Sequence, residues 1–198
     1  MLFRSDYFLI LGANPLVSNG SMMTAADFPG RLRELRRRKG RVVVVDPVRT
    51  RTAAASDEHL PIRPGTDALW LASLAHLVTQ HTRLAAAEPW IDSAQWDQVT
   101  SGLADFSPEA TAAFTGIDAA VTRRIAQELL DAPSAAVYGR MGTTTSGLTN
   151  DDAVTPMATL ASWLIDIINI TIGSLDRPGG DRKSTRLNSS HQIISYAV

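Results

Sequence analysis

Tyr7-Phe8-Leu9-Ile10-Leu11 is an unbroken apolar run closed by Gly12. A short run without polar alternation marks a strand covered on both faces. Arg41-Val42-Val43-Val44-Val45-Asp46 repeats the pattern. Its four consecutive β-branched residues favour extended backbone, and Pro47 stops it. Between the two, Phe28 to Lys39 reads as a helix with Phe28, Leu32 and Leu35 on one face, ended by Gly40. Strand, loop, helix and strand make one right-handed βαβ unit. His59-Leu60-Pro61-Ile62 predicts a further short strand, and Thr66 to Val78 a helix apolar nearly all round and therefore buried. Glu88 to Ser101, with Pro89, Trp90 and Trp96, reads as irregular.

Ser107-Pro108-Glu109 opens a short helix, with Ser107 as cap and proline at the first helical position. Ile117, Val121, Ile125 and Leu129 stripe the next one, and Ser134 to Tyr138 predicts a strand ending in Gly139-Arg140. Thr143 to Asn150 reads as a polar loop. Thr155-Pro156 then starts a helix in which Met157, Leu160, Ala161, Leu164, Ile165 and Ile168 recur at helical spacing, closed by Gly173. Strands alternating with helices predict an α/β fold, a Rossmann-like parallel sheet with flanking helices.

Length and composition narrow the function. The 198 residues suit one domain, or a little more. With 19 basic and 20 acidic residues the net charge is −1, which argues against a strongly basic nucleic-acid binder. There is no cysteine, so the chain itself holds no disulfide, thiolate metal site or cysteine nucleophile. No two of the four histidines stand four residues apart. The longest apolar stretch, Met157 to Ile172, contains Asp166 and Asn169 and falls short of the roughly 20 apolar residues a spanning helix needs. Met1 to Leu11 does not read as a signal peptide, since Asp6 follows its one basic residue and no small-residue cleavage site comes after; the sequence leaves the compartment open, with the cytoplasm as default.

The last 18 residues differ from the rest. Asp181 to His191 back-translates to DNA resembling a widely used short-read sequencing adapter, and Ile194 to Val198 to the adapter's next constant part. Residues 181–198 are therefore read as a non-native, disordered tail, and residues 1–180 as an interior fragment of a longer protein. The tail sets Arg182, Lys183 and Arg186 against Asp181, so the remainder is more acidic than the whole.

In an open parallel sheet, ligands bind beyond the carboxyl ends of the strands, near the point where strand order reverses. Those ends are Gly12-Ala13-Asn14-Pro15, Asp46-Pro47 and Gly139-Arg140. A glycine there lets backbone approach a phosphate, Asn14 can donate and accept, and Asp46 stands where a carboxylate can take hydrogen bonds from a ribose or base. G-x-G-x-x-G is absent, which argues against an ordinary nicotinamide site. Gly12 and Asn14 serve equally well as turn residues, and Asp46-Pro47 as a strand stop. Thr66 in Pro64-Gly65-Thr66-Asp67 reads as a helix cap with Asp67 favourable to the helix dipole, while the same N–H groups could take an anion. The basic run Arg31, Arg33, Arg36, Arg37, Arg38, Lys39 and Arg41 reads as a solvated face, His59 as a structural hydrogen-bonder, His76 as packed in its helix, and the tryptophans as core or crevice lining.

Five stretches in order resemble the bis-molybdopterin guanine dinucleotide oxidoreductases, the family of formate dehydrogenases, nitrate reductases and dimethyl sulfoxide reductases. They are Leu9 to Pro15 with Ser18-Asn19-Gly20-Ser21, Val43 to Thr50, Asp57 to Asp67, Tyr138-Gly139-Arg140, and Gly173 to Gly180. The resemblance implies part of the cofactor-binding α/β domain of a larger multidomain molybdoenzyme. It implies a Mo-bis(molybdopterin guanine dinucleotide) cofactor, with Gly12, Ala13, Asn14 and Pro15 touching it. Asp46, Pro47, Arg49 and Thr50 would recognise its nucleotide end, Gly65, Thr66 and Asp67 would add polar contacts, and Gly139 and Arg140 would lie nearer the metal. No catalytic residue or metal ligand is assigned to this chain.

Two departures stand out. Val48 occupies the position after Asp-Pro where the family commonly has arginine, with Arg49 following. The cluster-binding cysteines and the molybdenum ligand lie upstream in the family, and a further cofactor-binding domain downstream. The expectation is a fragment inactive alone. In the whole protein, two-electron chemistry on a small substrate such as formate or nitrate would be linked through an iron–sulfur cluster to an electron-transfer subunit or redox protein. The alternatives are a nucleotide-binding domain of a transhydrogenase or thiamine-diphosphate enzyme, and a non-enzymatic interaction module using the Arg31 to Arg41 surface.

Overall fold

A computed structural model describes residues 4–20, 25–82, 90–145, 147–149 and 154–175. The predicted tail, the family-like stretch from residue 176 to 180 and Ser21 lie outside the described residues. Four parallel strands form the sheet: β1 (Tyr7–Leu11), β2 (Arg41–Val45), β3 (Glu58–Leu60) and β4 (Ala135–Gly139), in the order β3-β2-β1-β4. Leu11 stands opposite Val45 on one side and Gly139 on the other. Strand order reverses between β1 and β4, so the switch point predicted to matter for ligands lies there.

The apolar runs of β1 and β2 serve both faces of the sheet. Tyr7, Leu9, Leu11, Val43 and Val45 pack on one side, while Phe8, Ile10, Val42 and Val44 pack on the other. Val42 to Val45 are all buried, which by transfer energies contributes about 1.5–3 kcal/mol for each valine. The second face is covered by α2 (Phe28–Arg37), together with Ala13 and with Ala53 of the one-turn helix α3 (Arg51–Ala54); α1 (Pro15–Ser18) lies beside them. The first face carries α4 (Asp67–His81), α5 (Ser93–Gly102), α6 (Pro108–Thr115), α7 (Ala119–Asp131) and, after α8 (Met141–Thr144), α9 (Ala158–Thr171). A small antiparallel pair, β5 (Gly147–Thr149) and β6 (Val154–Pro156), precedes α9.

Several expectations hold. α4 is buried all round, with Trp70 and Leu71 fully enclosed, and Ser107 caps α6 by accepting from Ala110 N at 3.2 Å. Others need correction. α2 ends through Lys39, at φ 64°, and not through a left-handed Gly40. Gly40 is required by space instead, since a Cβ there would lie 2.7 Å from Leu35 Cδ2. The third strand is Glu58–Leu60, two residues shorter at its far end than predicted. The segment read as irregular contains α5. Its Asp92 accepts from Gln95 N at 2.8 Å while Gln95 accepts from Asp92 N at 3.1 Å, a reciprocal cap that Pro89 and Trp90 obscured. The polar loop from Thr143 holds part of α8 and then β5, and Thr155-Pro156 ends β6 while the helix starts at Ala158.

At the outer edge of β4, Asn169 of α9 accepts from Val137 N and donates to Val137 O, both at 2.9 Å. That fully buried amide satisfies the edge groups a fifth strand would otherwise take.

Candidate functional site

The carboxyl edge of the sheet is built by ladder bonds that run one residue past the strands. Gly12 N donates to Val45 O (3.1 Å), Asp46 N to Leu60 O (3.2 Å) and Arg140 N to Leu11 O (3.1 Å). Asp46, Gly12 and Arg140 therefore stand side by side at roughly strand spacing, about 4.8 Å. Residues that the sequence analysis selected from three distant stretches thus share one edge.

Each has a local task. Asn14 Oδ1 accepts from Thr52 Oγ1 at 2.8 Å and from Thr52 N at 3.3 Å, while Thr52 Oγ1 accepts from Leu16 N at 3.1 Å. These bonds tie the loop after β1 to α3, which follows β2. The Asn14 amide NH2 has no hydrogen bond among the described residues and remains available as a donor. Ala13 and Pro15 are buried, Pro15 opening α1. Asp46 Oδ1 accepts from Val48 N at 2.9 Å, a turn that leaves the second carboxylate oxygen without a hydrogen bond among the described residues. Pro47, Val48 and Arg49 are exposed, and Thr50 caps α3 by accepting from Ala53 N at 3.2 Å. His59 Nε2 donates to Asp46 O at 2.8 Å, the structural role expected of it.

Gly65 sits at φ 82° in the turn before α4. The predicted Thr66 side-chain cap does not form, because its hydroxyl donates back to Arg63 O at 2.8 Å. Asp67 is 3 % exposed and accepts from Thr143 Oγ1 at 3.2 Å. Gly12, at φ 54°, does permit a close approach, but the approaching group is the chain itself: a Cβ there would meet Thr143 N at 2.3 Å. Gly139 is crowded by Ile165 Cδ1, and the Arg140 carbonyl accepts from Thr143 N and Thr144 N. Thr52, Gly142 and Thr143 were not selected from sequence. The only signal for them was a second glycine two residues after Gly139-Arg140.

The donor set at this edge suits a nucleotide end. It offers an unspent carboxylate oxygen, an amide donor and the exposed Arg49 guanidinium, the groups that guanine, ribose and phosphate call for. An apolar cavity of about 320 Å³ lies elsewhere, among α4, α5 and α9, lined by Leu69, Val99, Phe106, Leu160 and Trp163. Among the described residues its lining has no charged group to orient such a ligand. Three of the seven cations in the basic run are paired within the chain. Arg36 pairs with Asp57 (3.3 Å), Arg38 with Glu34 (3.7 Å) and Arg41 with Glu58 and Glu128.

The four-stranded parallel sheet with helices on both faces places the chain in the α/β class. The chain belongs within it to the molybdopterin oxidoreductase family, whose model matches residues 2–194. Membership sets aside the transhydrogenase and thiamine-diphosphate alternative. The chain is 32% identical over 184 residues to the menaquinone reductase, molybdopterin-binding-like subunit, of Nitratidesulfovibrio vulgaris, covering 90% of this chain and 24% of that one. It is 34% identical over 156 residues to the assimilatory nitrate reductase of Haloferax mediterranei, covering 73% and 20%. Among solved structures, acetylene hydratase from Pelobacter acetylenicus superposes with a TM-score of 0.58 at 19% identity, over 85% of this chain and 20% of that one. The chain thus spans a quarter or less of the length of these relatives.

Proposed function

We propose that this chain is part of the cofactor-binding domain of the catalytic subunit of a molybdopterin-dependent oxidoreductase, and that its carboxyl edge holds the nucleotide end of a Mo-bis(molybdopterin guanine dinucleotide). The supporting observation is Asp46. It is fixed at the sheet's carboxyl end by its own Val48 turn and keeps one oxygen to accept from a base or ribose. Asn14 supplies a donor and Arg49 a cation for phosphate. The bound molybdenum–pterin group would supply two-electron chemistry on a small substrate such as formate or nitrate. In the whole protein an iron–sulfur cluster, with ligands outside this chain, and an electron-transfer partner would complete it. By itself the chain is proposed to be inactive, its residues binding and orienting the cofactor.

Titration calorimetry with GDP tests the reading. Saturable binding to the wild-type chain, weakened about tenfold or more in Asp46→Asn, is expected, since loss of a bond to a charged acceptor is worth at least that much. Equal binding by both, or none by either, would overturn it.

A further inference from the structure

Three segments of this edge meet at a side chain that the polarity pattern left inside a loop. Thr143 is 1 % exposed. Its Oγ1 donates to Asp67 Oδ1 at 3.2 Å, and a Cβ on Gly12 would lie 2.6 Å from the same oxygen. Its N–H donates to Arg140 O at 2.7 Å. Beside it, Gly142 N donates to Gly12 O at 2.9 Å, and a Cβ on Gly142 would come within 2.7 Å of Gly12 Cα. The contact is reciprocal: each glycine occupies the space the other's side chain would need.

A four-residue helix has no stability of its own, so tertiary contacts set where α8 lies. A carboxylate as deeply buried as Asp67 needs donors to hold it in place. We propose that Thr143 is the positioning residue of this edge. Its hydroxyl fixes the Asp67 carboxylate, and together with Gly142 it seats α8 across the end of β1. The Gly12 loop, the first turn of α4 and Arg140 are then arranged before a ligand arrives, which lowers the ordering cost of binding. The proposal deepens the nucleotide reading and rests on it only for the second of its two readouts.

The test uses the 198-residue chain, with Thr143→Val removing the hydroxyl at similar shape and Thr143→Ser keeping it. Amide hydrogen exchange is read at Gly142, with Val43 and Val44 of β2 as internal controls. Thr143→Val is expected to speed exchange at Gly142 about tenfold with the β2 amides still protected, and to weaken GDP binding about tenfold; Thr143→Ser restores both. Wild-type exchange at Gly142 in Thr143→Val overturns the proposal whatever the nucleotide does. So does faster exchange with undiminished affinity. If Thr143→Val loosens β2 as well, Thr143→Ser decides: wild-type exchange and affinity support the hydroxyl's role, and their loss overturns it. A wild-type chain that ignores GDP removes the nucleotide reading, and the Gly142 exchange result alone then judges Thr143.

Discussion

At the edge of β4, one side chain takes the place of a strand. Asn169 is fully buried, and its amide makes both hydrogen bonds to Val137 that a neighbouring strand would make. Replacing it with leucine keeps the volume and orphans a buried N–H and a buried C=O. Asn169→Leu should therefore lower stability by roughly 2–4 kcal/mol, read as a lower urea midpoint, because each unmet group costs about 1–3 kcal/mol. A midpoint within error of wild type would show that water reaches the β4 edge. The sequence marked Asn169 only as a polar interruption of an apolar helix, since its partner lies 32 residues away. Asn14 was legible as a loop residue with binding potential, but its bond to Thr52 was not, for the same reason of distance along the chain.

Between elements, the amino end of the sheet is clamped by charge. Glu58 at the start of β3 accepts from Arg41 of β2 and Arg124 of α7. Glu128 of α7 accepts from Arg124 and from the Tyr7 hydroxyl of β1, each at 2.8 Å. Burial alone would raise the Glu58 pKa, but the hydrogen bonds and charges of Arg124 and Arg41 outweigh it and hold the carboxyl below its ordinary value. Burial, reinforced by Glu128, pushes the Tyr7 phenol upward. For Glu58 the folded pKa lies below the unfolded one. Its stabilisation is present above the ordinary carboxylate range and is lost as pH falls through the folded value.

Glu58→Gln should therefore be less stable than wild type at neutral pH, with the gap closing below about pH 4, as read from urea midpoints between pH 7 and 3. Parallel profiles would contradict the clamp. Elements with strong periodicity or composition, such as β1, β2, α2, α4 and α9, were legible from sequence. α5 was missed because its stripe is thin, with only Trp96 and Val99 buried, and its cap signal sits two residues past Trp90. α8 is one turn long, too short for any periodicity to register.

For the whole molecule, a parallel α/β sheet followed from alternating strand and helix patterns, but the order β3-β2-β1-β4 did not. Strand order depends on which apolar faces α4, α7 and α9 jointly cover, and that is a property of packing. The predicted site fared similarly. Its residues do gather at the carboxyl edge, whereas the space at Gly12 is filled by Gly142 and Thr143 from a segment the pattern treated as loop. We propose that this edge, and not the apolar cavity among α4, α5 and α9, receives the nucleotide end of a cofactor. Mapping GDP onto the chain by amide chemical-shift changes tests it most directly. The shifts are expected to cluster at residues 12–15, 46–50, 65–67 and 139–143. Shifts confined to the lining of the apolar cavity, or none at saturating GDP, would contradict it.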